Sequence, residues 1–278
     1  MVDQRILVFG ATGTHGGAVA RALLGAGHSI TAFVRDPRSP RALALEQDGA
    51  RLAVGDLDEP SSVSRALDGM HAAYAVTTPF DGGPEEEVRQ GEQIIASATQ
   101  VPLPWLVLAS VASAADANVP HFSSKARIEE LLKQSTLTWT VLAPSYFYEN
   151  VLSSAEAIRE GRLPLALPPQ TPLQQVALAD LGALVAAILA RPAEHAGQRI
   201  EVAGDDPTPE AMAAAIGVRH EQLLPAQLEQ RSPDLAAMYS FLARDGYAVD
   251  IHALQHRYPE VRWKSFAEWA AERDWQGR

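Results

Sequence analysis

Short apolar runs alternate with amphipathic stretches along the first half of the chain. Runs at residues 6–9, 30–34, 51–54, 73–76, 105–109 and 138–142 are rich in β-branched and apolar residues and predict six strands. Between them the apolar positions recur at helical spacing. The first such segment, residues 13–26, puts Val19, Ala22, Leu23 and Ala26 on one face, and Gly27 suits the left-handed residue that closes a helix. A later one carries Ile128, Leu131 and Leu132, with Ser123 and Ser124 placed to cap it. Strands alternating with helices predict βαβ units and an α/β fold of Rossmann type, a doubly wound parallel sheet.

After Pro144 the rhythm loosens. The stretch "LPLALPPQTP" (residues 163–172) carries four prolines and is expected to be a surface connection, neither a central strand nor a helix interior. Beyond it the pattern predicts a helix from Asp180, a strand near Arg199 to Val202, and a Thr208-capped helix with Pro209 in its first turn. Helical segments carrying Trp263, Phe266, Trp269 and Trp275 follow, and these aromatics are read as packing anchors. The expected layout is a dinucleotide-binding domain over residues 1–150 and a smaller, interleaved α/β part over 151–278. Some segments of the second part are expected to return to the main sheet and wall a cleft at its carboxyl edge.

Composition narrows the function. With 278 residues, 47% of them hydrophobic, the chain can bury a sizeable core. A net charge of −11 without a basic patch argues against nucleic acid as a partner. The lack of cysteine removes disulfides, thiolate metal sites and thiol nucleophiles together. The opening residues run straight into a strand-like segment, and no charge-free stretch of spanning length occurs, so a cytoplasmic protein without a membrane partner is expected. His252 and His256 lie four apart, but "HALQH" lacks the adjacent glutamate and a third ligand, so no metal is expected there.

The chemistry concentrates in "GATGTHGG", residues 10–17, directly after the first strand. Gly10 permits a tight turn, Gly13 clears the approach of a phosphate, and Gly16 lets the helix lie close to the strand, while free amides of the helix start face the anion. Thr12, Thr14 and His15 sit in the same loop and are candidates for phosphate contact through hydroxyl or imidazole. At the end of the second strand, in "TAFVRDP", Val34 stands where an NAD site usually carries an acid, and Arg35 follows. A guanidinium there can pair with a 2′-phosphate, which favours NADP(H) over NAD(H). Asp36, beside Pro37, is read as a turn residue, and Arg38 and Arg41 as further cations or plain surface. In "GDLD", Asp56 and Leu57 are expected near the adenine, and in "AVTTPF" Thr77 and Thr78 near the ribose and pyrophosphate.

These motifs, together with "SSKARIEELL" and "PSYFYEN", resemble the NmrA-like family of atypical short-chain dehydrogenases/reductases over essentially the whole chain. The resemblance implies an NADP-preferring Rossmann domain with a small C-terminal domain. Its members include quinone reductases, reductases of aromatic substrates, and regulators that bind the cofactor without turning it over. Two positions depart from the family's pattern: Ala143 stands where an arginine commonly precedes the proline, and Glu92 where a lysine is frequent.

Mainstream relatives use Tyr-x-x-x-Lys, the phenol as acid and the ammonium on the nicotinamide ribose. The matching positions here are His121 and Lys125. A lysine in the first turn of a helix is disfavoured by roughly 0.3 to 1 kcal/mol, which points to a compensating partner, and the ribose hydroxyls are expected in that role. Ser110 and Pro144 are expected beside the nicotinamide; Ser113, Tyr146, Phe147 and Asn150 are expected to line a flat acceptor pocket. Two readings stay open. One is a reductase passing hydride to a quinone or similar planar acceptor, with Lys125 and His121 as catalytic candidates. The other is a cofactor-occupancy sensor that binds a protein partner. A homodimer is compatible with either.

Overall fold

The computed structural model describes residues 4–230 and 232–275. The first half alternates strictly: β1 (Arg5–Val8), α1 (Thr14–Gly25), β2 (Ser29–Val34), α2 (Pro40–Gln47), β3 (Arg51–Val54), α3 (Pro60–Leu67), β4 (Ala72–Ala75), α4 (Gly83–Gln100), β5 (Leu106–Ala109), α5 (Pro120–Gln134) and β6 (Trp139–Pro144). The second half is more broken. It runs β7 (Tyr146–Phe147), α6 (Ala155–Arg159), β8 (Arg162–Leu165), β9 (Gln175–Val176), α7 (Leu178–Leu189), α8 (Pro192–His195), β10 (Gln198–Val202), α9 (Pro209–Ile216) and β11 (Arg219–Gln222). Four helices close it: α10 (Pro225–Glu229), α11 (Pro233–Arg244), α12 (Ile251–Arg257) and α13 (Phe266–Ala271).

Seven strands form one parallel sheet in the order β10-β6-β5-β4-β1-β2-β3. This is the doubly wound α/β fold that the alternating pattern predicts. Strands β4 and β5 are buried along their whole length, which explains why they read as unbroken apolar runs; β3, at the sheet edge, is not. Strand order reverses between β1 and β4, and the carboxyl ends of these two strands open a crevice.

One apolar layer joins the sheet to α1 and α7 through Val19, Leu23, Tyr74, Leu181 and Val185. The opposite face packs Leu7, Val63, Ile94, Leu106 and Ile128. A third core, around Tyr148, Met212, Phe241, Phe266 and Trp269, is built mainly from the second half of the chain, with Val119 and Phe122 contributed by the first. The C-terminal aromatics do pack: Phe266 is 1% and Trp269 2% exposed.

Two expectations from the sequence need correction. The proline-rich stretch is not merely a surface connection. Its start is β8, which pairs in parallel with β11 in a separate two-stranded sheet, and Leu163, Leu165 and Leu167 are buried. Pro164 is tolerated because two strands leave each with a free edge. Nor do Ser123 and Ser124 cap α5. That helix starts three residues earlier at Pro120, whose missing N–H and fixed φ suit the first position, so both serines lie inside it.

Candidate cofactor and acceptor site

The glycine loop spans the gap between β1 and α1. Gly10 has φ +66°, a left-handed turn that leaves no room for a side chain: a Cβ would lie 2.9 Å from the Val76 carbonyl oxygen of the neighbouring strand end. Gly16 sits where a Cβ would come within 2.3 Å of Gly10 O. Helix α1 therefore starts in direct contact with the loop that precedes it. Its N-cap, Gly13, provides no side-chain cap, and the first helical hydrogen bond is donated by Gly17 N to Gly13 O at 2.9 Å. The amides of Thr14, His15 and Gly16 consequently have no backbone acceptor among the described residues, at the positive end of a helix whose first turn carries no acidic residue. The residues present fit a pyrophosphate.

On the β2–β3 side of the switch point, Arg35 follows β2 with its side chain 76% exposed, 3.9 Å from Asp81. Asp36 makes the turn expected of it, its Oδ1 accepting from Arg38 N at 2.9 Å. Arg41, which the sequence left equally readable as bare surface, donates from Nη1 to the carbonyl of Thr12 at 3.3 Å and so ties α2 to the glycine loop. The carboxylate of Asp56 is exposed and accepts from Asp58 N at 3.0 Å, while Leu57 packs beneath α3.

On the β4–β6 side, the polar groups are paired with one another. Lys125 lies in the second turn of α5, and its ammonium sits 2.7 Å from Glu87 Oε1 and donates to Thr77 O at 2.7 Å. Glu87 is fully buried, and its carboxylate also accepts from Thr77 Oγ1 (3.0 Å) and Ser124 Oγ (2.5 Å). The partner that balances Lys125 is thus a carboxylate of α4; the sequence had pointed to ribose hydroxyls. His121 is held by Asp234 of α11, with 2.6 Å between Nδ1 and Oδ2 and 3.1 Å between its amide and Oδ1. Thr78 is exposed and accepts from Phe80 N at 3.3 Å.

His15, half-buried, turns its ring onto Tyr74, with Nε2 2.8 Å from the phenolic oxygen, and its edge onto Phe147, 5.2 Å between centroids. Burial, reinforced by the Lys125 charge, pushes the imidazole down to about 3, so the ring is neutral at ordinary pH. Tyr146 meets Tyr239 of α11 through their hydroxyls at 2.9 Å, which brings the C-terminal part over the end of β6. Asn150 is exposed in the following turn, and Tyr148, its OH on Lys264 O at 2.8 Å, belongs to the core.

The Ser110 hydroxyl donates to Glu129. Glu129 in turn takes Arg199 Nε at 2.8 Å, and Arg199 also holds Glu201 (2.7 Å) and the carbonyl of Val111 (3.0 Å). The amide of Ser113, a residue at φ +57°, donates to Glu201 at 3.0 Å. This network ties the loop after β5 to β10, and Ala112 N donates to Pro144 O at 2.9 Å. Ser113 lines a hollow of about 700 Å³ with Glu92, Arg127 and Arg199, and no glycine-loop residue takes part in it. Ala143, the other departure from the family pattern, is fully buried in β6.

The NmrA-like family matches residues 2–230. The chain belongs to the NmrA-like family. An NAD(P)H azoreductase from Xenophilus azovorans is 29% identical over 211 residues, 76% of this chain and 70% of that protein. Among solved structures, the NADPH-dependent quinone oxidoreductase of Escherichia coli in complex with NADPH superposes with a TM-score of 0.80 at 25% identity, covering 96% of this chain and 99% of that one. The negative transcriptional regulator NmrA, in complex with NAD, shares the fold with a TM-score of 0.80 at 18% identity, covering 99% of each chain. This NmrA-like chain contains no helix, among the described residues, long and apolar enough to cross a membrane.

Proposed function

We propose that this NmrA-like chain is an NAD(P)H-dependent oxidoreductase that passes hydride to a small, planar, unsaturated acceptor of quinone type. The observation that carries the reading is the uncapped start of α1 behind a loop too tight for side chains, placed at the strand-order reversal. The likeness to an azoreductase and to a quinone oxidoreductase supports it.

Residues 1–150 would hold the dinucleotide and 151–278 furnish the acceptor-side wall, with Tyr146 and Tyr239 at the seam. The amides of Thr14, His15 and Gly16 would bind the pyrophosphate. Arg35, with Arg41 behind it, would take a 2′-phosphate and favour NADP(H), since no carboxylate stands at Val34 to claim the ribose hydroxyls. Bound reduced cofactor supplies the hydride. Lys125, locked by Glu87 and Thr77, would orient the ribose rather than move a proton, and a quinone, already electron-poor, needs little acid assistance.

A non-catalytic, cofactor-sensing regulator is the second reading. It is favoured by the missing tyrosine at position 121 and by the engagement of both His121 and Lys125 with carboxylates. Stopped-flow oxidation of NADPH and NADH against a panel of quinones, azo dyes and enones separates the two. Acceptor-dependent turnover establishes the enzyme; tight cofactor binding with oxidation no faster than in buffer for every acceptor refutes it.

A further inference from the structure

His15 holds a place in the glycine loop that phosphate binding leaves unexplained. Backbone amides meet the anion there, and any side chain short enough would serve. The imidazole instead contacts Tyr74 at the end of β4 and Phe147 just past β6, and it lies in the field of Lys125. All three belong to the half of the crevice away from Arg35 and Asp56, the half left for nicotinamide and acceptor.

Tyr74 is fully buried, and its hydroxyl makes no other hydrogen bond among the described residues. Were the phenol to accept from Nε2–H, its own O–H would be stranded in a dry site, a loss of about 1–3 kcal/mol. The phenol therefore donates to Nε2, and a neutral ring must then carry its proton on Nδ1. Among the described residues that second nitrogen has no protein partner, and it is not sealed from solvent, so its N–H is open to the crevice. The depressed basicity of the ring keeps it in this uncharged form.

We propose that His15 Nδ1–H is the hydrogen-bond donor to the acceptor's oxygen during reduction, and that Tyr74 is the positioning residue that fixes the tautomer. The proposal rests on the oxidoreductase reading above. As the acceptor gains a hydride, the electron pair of its conjugated carbonyl moves onto oxygen. The resulting oxyanion is held by Nδ1–H and later takes a proton from water. His15 keeps its own proton throughout. A neutral donor aimed at developing charge stabilises it without a titration step, and it supplies from α1 what the absent phenol at position 121 does not.

The test joins histidine ¹⁵N NMR of the cofactor-free protein with kinetics of His15→Leu, His15→Gln and Tyr74→Phe. The His15 signals, identified by their loss in His15→Gln, are expected in the Nδ1–H form from pH 5 to 8, and Tyr74→Phe is expected to shift them toward Nε2–H. With a quinone acceptor, kcat should fall about 10²-fold in His15→Leu and less in Tyr74→Phe and in His15→Gln, which retains a donor. NADPH affinity should stay near wild type in all three. A His15 that is charged or Nε2-protonated at pH 7 overturns the proposal, as does an unchanged kcat in His15→Leu, and either result leaves the reductase reading intact. A wild-type protein that reduces no acceptor overturns both.

Discussion

Alanine at Gly13 separates a ligand-binding glycine loop from one that is only a tight turn. Gly13 lies at the exposed N-cap of α1 with φ −79° and ψ 168°, which alanine adopts freely, and a Cβ there meets only Gly10 O, at 3.2 Å. The expected loss of stability is that of a poorer N-cap, up to about 1 kcal/mol. For a chain of this size that is a melting shift of roughly 2 to 4 °C. The new methyl would nonetheless stand in the path of a phosphate approaching the first-turn amides. Losing one charge-assisted hydrogen bond removes about 1.5 to 3 kcal/mol, a ten- to hundredfold rise in Kd. Gly16→Ala is the counterpart. Its Cβ would press to 2.3 Å from Gly10 O and 2.6 Å from Gly10 C, backbone atoms that cannot swing aside. Such overpacking costs about 1 to 3 kcal/mol, so Gly16→Ala should lose stability and affinity together. Thermal melts and calorimetric titration with NADPH at fixed salt give both quantities for both variants. A Gly13→Ala protein that binds NADPH within twofold of wild type would refute the reasoning.

Three further outcomes are expected. Arg35→Ala should weaken NADPH by roughly tenfold or more, the loss of a guanidinium–phosphate contact, and leave NADH nearly unchanged; equal losses in parallel titrations would remove the guanidinium from the 2′-phosphate. Lys125→Ala should destabilise the fold by about 3 kcal/mol, because it strands the buried Glu87 carboxylate, and Lys125→Met combined with Glu87→Gln should recover much of that in denaturant melts. An additive pair would contradict the ion-pair assignment. Burial, only partly offset by the Lys264 amide, raises the Asp180 carboxyl from 3.8 to about 6, so the folded state holds this proton more tightly than the unfolded chain and stability falls as pH climbs through that interval. Asp180→Asn should therefore stabilise by about 1 to 3 kcal/mol at pH 7.5 and give no gain below pH 4; a gain independent of pH would show that charge burial is not the cause.

The alternation of strand and helix was legible because each central strand is buried on both faces and each helix on one, so apolar spacing records the layers directly. The glycine loop was legible because backbone contact admits no side chain at Gly10 and Gly16. Side-chain pairings across long separations were not. Glu87 sits in the run Glu85-Glu86-Glu87, and nothing in that run distinguishes the one carboxylate that faces Lys125 on another helix. Tyr74 reads as one more apolar strand residue until α1 brings His15 onto its hydroxyl. Ser110 lies where a ligand contact is natural, yet Glu129 and Arg199, 19 and 89 residues onward, take up its surroundings. The strand within "LPLALPPQTP" was obscured by proline, whose ban applies to central strands and not to a two-stranded edge.

Two pieces of the layers around the main sheet arrive late in the sequence. Strand β10 extends the seven-stranded sheet beside β6, and α7 covers the flank of α1, more than 150 residues after the loop that α1 begins. A nascent polypeptide released before about residue 203 would own every glycine of the loop after β1 but lack the sheet's last strand, and one ending before residue 178 would leave Val19 and Leu23 wet. Such long-range closure is slow to form, so ligand-binding competence should emerge only after β10 has been made. Fusions or split reporters cut at the nominal boundary near residue 150 would halve a single cooperative unit.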